Sequence, residues 1–295
     1  MSSLKEVRNR ITSIDSTRKI TSAMKMVSAS KLRRAQSSIV QLRPYARKLN
    51  ELISNLSGSS NKDENPLFKK HEEINKVLLV VISSNRGLCG GFNSNILKYT
   101  TNLVETTYKK QNATGNLKFI TIGKRASEFI KKKFGNVLES HDHLTEETNF
   151  ELSAEIANKL MEEYTKGEFD KIEIIYHQFV NAGYQKLTQE VFLPIQPPTT
   201  DENSLKFEID YIYQPDKESI TIDLVPKILR LQFYKSIVDS VASEHGARMT
   251  AMHKATDNAT DLLKDLKLVY NKARQAAITN EILEIVSGAE ALENA

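Results

Sequence analysis

Three glycines follow the apolar run Val77–Ile82, in the stretch SSNRGLCGGFNSNI at residues 83–96. A glycine-rich turn between a strand and a helix is a common phosphate site, because backbone N–H groups at the helix N-terminus point at the anion. A P-loop also needs Lys and then Ser or Thr directly after its last glycine. Here Gly91 is followed by Phe92 and Asn93. The stretch therefore lacks the side chains that would hold the outer phosphates and magnesium.

The glycine spacing fits a structural turn better than a nucleotide site. The dinucleotide fingerprint is G-x-G-x-x-G, whereas Gly87 is followed by two residues and then by Gly90 and Gly91. We interpret the glycines as residues that let a tight strand-to-helix turn adopt positive φ, with Asn93 or Ser94 as the helix cap. A phosphate-binding enzyme remains an alternative hypothesis.

No other group of reactive side chains has the spacing of a catalytic or metal site. His141 and His143 could be two metal ligands, but no further Cys or His cluster accompanies them. The acidic pairs at 72–73, 146–147 and 162–163 are adjacent in sequence, so on a helix their side chains point apart. No nucleophile stands at a recognisable spacing from a base. We therefore predict no catalytic, cofactor-binding or metal-binding residue in this chain.

Positive charge is concentrated near the amino terminus. Residues 1–48 hold twelve Lys or Arg against two acids, a net charge of +10, while the whole chain totals +4. Clustered cations are typical of nucleic-acid binding, and an Arg-rich, acid-poor start is typical of an organellar transit peptide. No aromatic residue precedes Tyr45, and the apolar stripe of this segment needs a partner. A nucleic-acid-binding coiled-coil protein stays an alternative hypothesis.

The sequence also bears on disulfide bonding and on membrane crossing. The single cysteine, Cys89, cannot form an internal disulfide. The longest uninterrupted apolar run, residues 77–82, is far shorter than the ~20 residues that cross a bilayer. We therefore expect no membrane span.

The amino-terminal segment has the pattern of one long amphipathic helix over residues 3–56. No glycine, which destabilises helix interiors, occurs before Gly58. Pro44 removes a backbone donor, so we predict a kink or short break there before the helix resumes. Apolar residues step by three and four, with small offsets, at Leu4, Val7, Ile11, Ile14, Ile20, Met24, Val27, Leu32, Ala35, Ile39 and Leu42.

A second long helix is predicted from near Asp223 to the carboxyl-terminal end. Pro226 is the last proline, and Gly246 is the only glycine between Gly183 and Gly288. A strict seven-residue seam runs through Met252, Thr256, Ala259, Leu263, Leu266, Tyr270, Ala273 and Ala277. Such a repeat predicts a left-handed supercoil with a partner helix.

Between these helices, strand-like runs alternate with helical patterns. The strand-like runs are 77–82, 117–122, 171–177, 187–194 and 207–213, and the helical patterns are 92–110, 125–134 and 150–164. This order predicts a Rossmann-like α/β domain with a mostly parallel five-stranded sheet. Asn181–Gly183 is predicted to be the turn of an antiparallel hairpin.

The fold class that follows is α/β, with an antiparallel coiled coil of the two terminal helices. We expect an amino-terminal coiled-coil helix at 1–57, a central α/β domain at 75–213 and a carboxyl-terminal helix at 223–288 that pairs with the first. Because the central domain is inserted between the two helices, the simplest geometry brings the second helix back along the first.

Four segments closely resemble the gamma subunit family of F-type ATP synthases. They are ITSIDSTRKITSAMKMVSASKLRRAQ (11–36), SSNRGLCGGFNSNI (83–96), ASEHGARMTAMHKATDNAT (242–260) and LVYNKARQAAITNEILEIVSGAEAL (268–292). The resemblance spans nearly the whole chain in order, and the terminal motifs are its most specific part.

The resemblance implies a rotor that carries no catalytic site of its own. In that family the paired helices form a central shaft inside a ring of three alpha and three beta subunits. ATP is made and hydrolysed on beta, while the central domain meets the epsilon subunit and the membrane c-ring. Rotation then couples ion flow to ATP synthesis and hydrolysis. Neither a cofactor nor nucleic acid is expected as a partner.

The resemblance also assigns subunit contacts to individual positions. Arg274, Gln275 and Thr279 match a polar cluster that catches a loop of beta. The basic stretch at Lys31, Arg33 and Arg34, with Met24 and Lys25, matches a segment that passes an acidic lever of beta. Apolar residues would form a tip that turns in an apolar collar, and they are Ile278, Ile282, Ile285 and Val286.

Two departures narrow the expected source. The central domain has no cysteine pair, so the thiol switch of the chloroplast form is not expected. The start at Met1 without an extension favours a bacterial chain. We therefore expect a peripheral protein on the cytoplasmic face of the bacterial inner membrane.

Overall fold

The structure is a computed structural model that describes residues 4–57, 66–69, 73–195 and 217–293. The chain forms two compact units. One contains the residues up to Ser28 together with those from Met249 onward, and the other contains Ala29–Arg248. The second unit includes the α/β domain.

A five-stranded, mostly parallel sheet forms the centre of the α/β domain, as predicted. Its strands are β1 (Val77–Ile82), β2 (Leu117–Ile122), β3 (Val137–Ser140), β4 (Lys171–Asn181) and β5 (Tyr184–Leu193). Their order is β3-β2-β1-β4-β5. Only the β4–β5 pair is antiparallel.

Six helices accompany the sheet in the described residues. They are α1 (Leu4–Ser57), α2 (Phe92–Thr106), α3 (Lys109–Ala113), α4 (Lys124–Lys133), α5 (Phe150–Thr165) and α6 (Lys217–Glu293). Two short 3-10 helices lie at Pro66–Phe68 and Asp142–Thr145. The three predicted crossover helices are confirmed, since α2, α4 and α5 connect successive parallel strands, although the helix predicted at 92–110 ends at Thr106 and α3 begins at Lys109.

Strand β1 shows why the domain needs helices on both faces. All six of its side chains are buried, which is typical of a central parallel strand. Leu78, Val80 and Ile82 belong to a cluster with side chains of α5 and α6. The alternate residues of β1 belong to a second cluster with side chains of α2 and α4.

One strand was missed by the sequence analysis. Strand β3 is only four residues long and its side chains are alternately half-buried and exposed, so it has no apolar run to detect. The predicted strand at 207–213 lies outside the described residues. The hairpin prediction is confirmed, because the Asn181 side chain accepts hydrogen bonds from the backbone N–H groups of Gly183 and Tyr184.

Both long helices continue through a proline. Helix α1 continues through Pro44, so of the predicted kink or short break the break was wrong. Helix α6 begins at Lys217 and includes Pro226, so its predicted start near Asp223 was also wrong. A proline leaves the carbonyl four residues earlier without its helical donor. Val40 and Ile222 stand at those positions, and both are exposed, so water can bond the freed carbonyls.

In the first unit, α1 and α6 pair in antiparallel fashion. Thr256 Oγ1 donates to Thr21 Oγ1 at 2.9 Å. An antiparallel pairing through this contact puts Leu4 beside Ala273, within the unit, whereas a parallel pairing would put Leu4 beside Asp239, outside it. The expected antiparallel arrangement of the terminal helices is confirmed.

The predicted seam on α6 is also confirmed. Each of its eight residues is buried or half-buried, and burial ends after Ala277. The strict heptad spacing predicts a left-handed supercoil for the pair.

The predicted stripe on α1 was partly wrong between residues 18 and 28, where Met24 is half-buried as expected but the other two predicted residues are exposed. The seam keeps its seven-residue spacing there and buries or half-buries Arg18, Thr21, Lys25 and Ser28. Ile20 and Val27, which were expected inside, are 60% and 58% exposed. A fixed partner helix holds the heptad register even where polar residues occupy it.

No helix in the described part of the chain combines the length and hydropathy that a membrane crossing requires.

Candidate functional site

The glycine turn is held by a side-chain network and not by a helix cap. The backbone N–H of Ser84 donates to Asn93 Oδ1 at 3.1 Å, and Asn93 Nδ2 donates to Cys89 Sγ at 3.2 Å. Gly91 is the N-cap residue of α2, and no side chain caps it. The prediction that Asn93 or Ser94 caps the helix was therefore wrong. Ser94 Oγ instead donates to the carbonyl of Gly91.

Only one of the three glycines uses the left-handed backbone region. Gly90 has φ of 59°, and the other left-handed residue of the turn is Leu88, with φ of 63°. This conformation costs a residue with a side chain roughly 1–2 kcal/mol. The Leu88 side chain is 62% exposed, so burial in this chain does not compensate for that cost.

Helix α6 reaches the glycine turn through Arg248. The guanidinium group of this buried residue donates to the carbonyl oxygens of Arg86, at 3.2 Å, and Gly87, at 3.4 Å. It also donates to Glu244 Oε1 at 2.6 Å. A buried positive charge of the chain itself, the Arg248 guanidinium, therefore binds the carbonyl groups of the turn.

Residues of α6 cover the crevice where an open α/β sheet usually binds its ligand. That crevice lies outside the carboxyl ends of the strands, where the strand order reverses, and here this point is between β1 and β4. Ser243 Oγ donates to the carbonyl of His177, which lies in β4 just beyond the part that pairs with β1. The His177 ring stacks on Phe92, with centroids 4.4 Å apart. The crevice is thus filled by the chain itself.

Burial shifts the pKa values of His177, His245 and Glu244 in the direction that favours their neutral forms. Burial lowers the pKa of His177 to about 4, and burial, with Arg248 nearby, lowers the pKa of His245 to about 4. Burial raises the pKa of Glu244, although Arg248 opposes that shift. At neutral pH both histidines are uncharged, so they suit packing and not anion binding.

The other candidate sites do not form ligand sets in the described residues. His141 Nε2 lies 3.0 Å from Glu139 Oε2, but no group of three metal-ligating side chains occurs there. Glu162 pairs with Lys166, while the side chain of Glu163 turns inward and pairs with Lys159. These contacts are those of a structural surface.

The whole chain matches a known family. A family model described as ATP synthase matches residues 3–292. The ATP synthase gamma chain of Flavobacterium psychrophilum is 52% identical over 294 residues, which cover 99% of this chain and 100% of that one. The gamma chain of Cytophaga hutchinsonii is 47% identical over 296 residues, which cover 100% of both.

The chain belongs to the ATP synthase gamma chain family. Solved structures of two mitochondrial ATP synthases contain a chain with the same fold. A chain of the Euglena gracilis mitochondrial ATP synthase aligns with a TM-score of 0.67 at 20% identity, covering 98% of this chain and 94% of that chain. A chain from the central stalk and c-ring of the Tetrahymena thermophila enzyme aligns with a TM-score of 0.57 at 24% identity, covering 80% and 99%.

Within this gamma chain, the predicted contact residues fall into separate groups. Arg274, Gln275 and Thr279 are exposed on α6, where Thr279 Oγ1 donates to the carbonyl of Gln275 at 3.0 Å. Lys31, Arg33 and Arg34 are exposed on α1. Ile282 and Ile285 are exposed beyond the end of the seam.

Met24 and Lys25 are not close to the group at Arg274. Both are half-buried along the pairing of the helices. In the antiparallel register Met24 lies beside His253, so about 30 Å of helix separates it from Arg274. The structure therefore does not bring the group at Met24 and Lys25 together with the group at Arg274.

One surface feature was missed by the sequence analysis. Ile20, Ala23, Met26 and Val27 face outward together on α1, and we call them the outer apolar patch. The outward residues before them are polar, as are His253, Lys254 and Asp257 at the same level of α6. A seven-residue repeat continued from Leu4 and Val7, without the offsets allowed in the sequence analysis, would have predicted that these four residues are exposed.

Proposed function

We propose that this gamma chain is the rotor shaft of an F-type ATP synthase. The paired parts of α1 and α6 turn inside a ring of alpha and beta subunits. The chain carries no catalytic site and transmits rotation driven by the c-ring to ATP synthesis, and rotation driven by ATP hydrolysis to the c-ring. Support comes from full-length relatives named ATP synthase gamma chain.

The observation that carries the proposal is the end of α6. Beyond Ala277 none of the described residues of α1 pairs with the helix, yet large apolar side chains continue along it. They are Ile278, Ile282, Leu283, Ile285 and Val286, all exposed. An isolated soluble chain rarely keeps such a patch open unless a partner covers it. We infer that an apolar collar of the surrounding ring covers this tip.

A shaft can drive its ring only if its contacts change with angle. A ligand equilibrium shifts only by the difference in contact free energy between two states. The outer apolar patch lies on one face of the helix pair, whereas the opposite helix is polar at that level. One ring subunit at a time would therefore meet the patch.

The predicted contacts take the following roles in this proposal. Arg274, Gln275 and Thr279 catch a loop of beta through exposed hydrogen-bonding groups. Lys31, Arg33 and Arg34 pass an acidic lever of beta, where opposite charges attract at many angles. Met24 and Lys25 contribute their exposed parts next to the outer apolar patch.

The parts of the chain divide accordingly. Residues 1–57 and 223–288 form the shaft, and the α/β domain within 75–213 meets the epsilon subunit and the c-ring. The assembled complex would hold the chain as a peripheral protein on the cytoplasmic face of a bacterial inner membrane.

Assembly with alpha and beta subunits tests the proposal. The chain is co-expressed with the alpha and beta subunits of its own species, and the product is examined by native mass spectrometry and ATPase assay. We expect one copy of this chain per ring and ATP hydrolysis that depends on it. Titration of the isolated chain with labelled ATP should show no tight site. Failure to join the ring, or micromolar ATP binding that Gly90→Val abolishes, would contradict the proposal.

A further inference from the structure

Arg248 has no role in the proposed contacts with other subunits, because it is buried inside the chain's own α/β unit. On α6 its guanidinium group donates to Glu244 and contacts His245 Nδ1 at 3.3 Å, and it also donates to two carbonyl oxygens of the glycine turn. Those carbonyls belong to Arg86 and Gly87, more than 160 residues away in sequence. One side chain thus ties the helix to the turn.

The turn needs such an external tie. Leu88 stands in the left-handed backbone region and points mostly into solvent. A residue with a side chain keeps this conformation only where its surroundings impose it. The Ser84, Cys89 and Asn93 network holds the turn from the side of β1 and α2, and Arg248 holds it from the side of α6.

Arg248 also depends on its position on the helix. Its charge is compensated by Glu244, which moves with it on α6, whereas the two carbonyls belong to a different element. A rotation or slide of α6 would keep the ion pair and break the bonds to Arg86 and Gly87. The ion pair on α6 therefore survives a displacement of the helix, whereas the hydrogen bonds between the helix and the turn are lost.

We propose that Arg248 is a positioning residue that latches the turn at residues 85–91 onto α6, so that a displacement of the helix opens the turn. The use of this latch under load rests on the proposed function as a rotor, because torque along α6 would then reach the turn through Arg248. The latch itself is a property of the isolated chain.

The only cysteine of the chain supplies the readout. Cys89 lies within the turn, is 2% exposed and contacts the Asn93 amide, so a thiol reagent reaches it only when the turn opens. In the isolated chain we expect Arg248→Met to raise the labelling rate of Cys89 by roughly tenfold or more, because bonds to a charged donor are lost. Arg248→Lys keeps the charge beside Glu244 and should give an intermediate rate.

Arg125 offers a matched control. One of its guanidinium nitrogens lies 3.8 Å from the position of a Cβ built on Gly87, but its side chain is half exposed and pairs with Glu128. Arg125→Met should leave the Cys89 labelling rate unchanged. An equal increase in both methionine variants, or no increase in folded Arg248→Met, would overturn the latch.

Hydrogen exchange on the unaltered chain covers the case in which Arg248→Met does not fold. The amides of residues 85–91 and those of 244–248 should then open together, with one common protection factor. Separate opening of the two segments would overturn the latch.

The assembled complex separates the latch from the rotor proposal. If the chain joins the ring and ATP is hydrolysed, Cys89 should label faster during hydrolysis than in the idle complex. An unchanged rate in an active complex would contradict load sensing while leaving the rotor function standing. A chain that never joins the ring would contradict the rotor function alone.

Discussion

The α/β domain and the paired terminal helices place their large apolar side chains in opposite ways. In the domain, all six residues of β1 are buried between two layers of helices. In the helix pair, the seam holds Thr21, Ser28 and Ala259, while Ile20, Met26 and Ile285 face outward, the last with 71% exposure. The apolar side chains of β1 are therefore buried within the domain's own fold, whereas several large apolar side chains of the helix pair are exposed, where a partner subunit could contact them.

This comparison predicts that substitutions in the domain lower the free energy of unfolding. Substitutions on the exposed side of the helix pair should lower only assembly with other subunits and ATP turnover.

The largest expected effect is at Gly123, between β2 and α4. Its φ is +100°, and a Cβ there would lie 2.3 Å from the carbonyl oxygen of Ser83. Gly123→Ala should lower the free energy of unfolding by about 3–5 kcal/mol, measured by urea denaturation. Gly135→Ala is the control, because that glycine also has positive φ but no atom within 4 Å of a Cβ. It should cost only about 1 kcal/mol. Equal losses would contradict the steric explanation.

A second effect in the domain depends on pH. The pKa of buried His177 is about 4 when folded and 6.5 in the reference state, so the unfolded chain binds the extra proton. The stability that neutral His177 provides is therefore present above pH 6.5 and is lost as pH falls toward 4.

His177→Gln should reduce this pH dependence of the unfolding free energy by up to about 3 kcal/mol across that window. The exposed His253 supplies the control variant, His253→Gln, which should leave the curve unchanged. A curve for His177→Gln that parallels the unaltered chain would remove His177 from the explanation.

The seam should respond less strongly than the domain core. Leu263 is buried in the pairing, while its neighbour Leu262 faces outward. Leu263→Ala should cost about 2–3 kcal/mol in the unfolding of the helix pair, followed by circular dichroism. Leu262→Ala should change stability by less than about 0.5 kcal/mol. A larger loss for Leu262→Ala would mean that the seam is on the other face.

The smallest effect on stability is expected at the polar group of α6. Arg274→Ala with Gln275→Ala should change the unfolding free energy by less than about 0.5 kcal/mol, because both side chains are exposed. In the assembled complex the same pair should lower ATP turnover by about tenfold, because the proposed contact with a loop of beta loses its hydrogen-bonding groups. Lys272→Ala with Asn271→Ala is the matched control on the same turn of helix. Normal turnover with the first pair would remove Arg274 and Gln275 from the mechanism.

Local patterns predicted much of this molecule. The buried run of β1 and the heptad seam of α6 are each visible in a short window of sequence. The α1 register between residues 18 and 28 was not, because the partner helix, and not the local apolar pattern, decides which side is buried.

The glycine turn shows a different limit. Its spacing ruled out a P-loop, but its partner, Arg248, lies 161 residues from Gly87. No local rule connects an arginine on a long helix to carbonyl groups of a distant turn. The edge strand β3 was missed for a simpler reason, since its four residues carry no continuous apolar signal.

The central claim is that the two ends of the chain form one shaft and turn together. Thr21 and Thr256 touch across the pair, with their hydroxyl oxygens 2.9 Å apart. Thr21→Cys and Thr256→Cys are combined with Cys89→Ser, assembled with the alpha and beta subunits, and oxidised. We predict a disulfide within this chain in high yield, with ATP-driven rotation of a bead on the α/β domain preserved. Absence of the disulfide, or rotation that stops on oxidation and resumes on reduction, would contradict the claim.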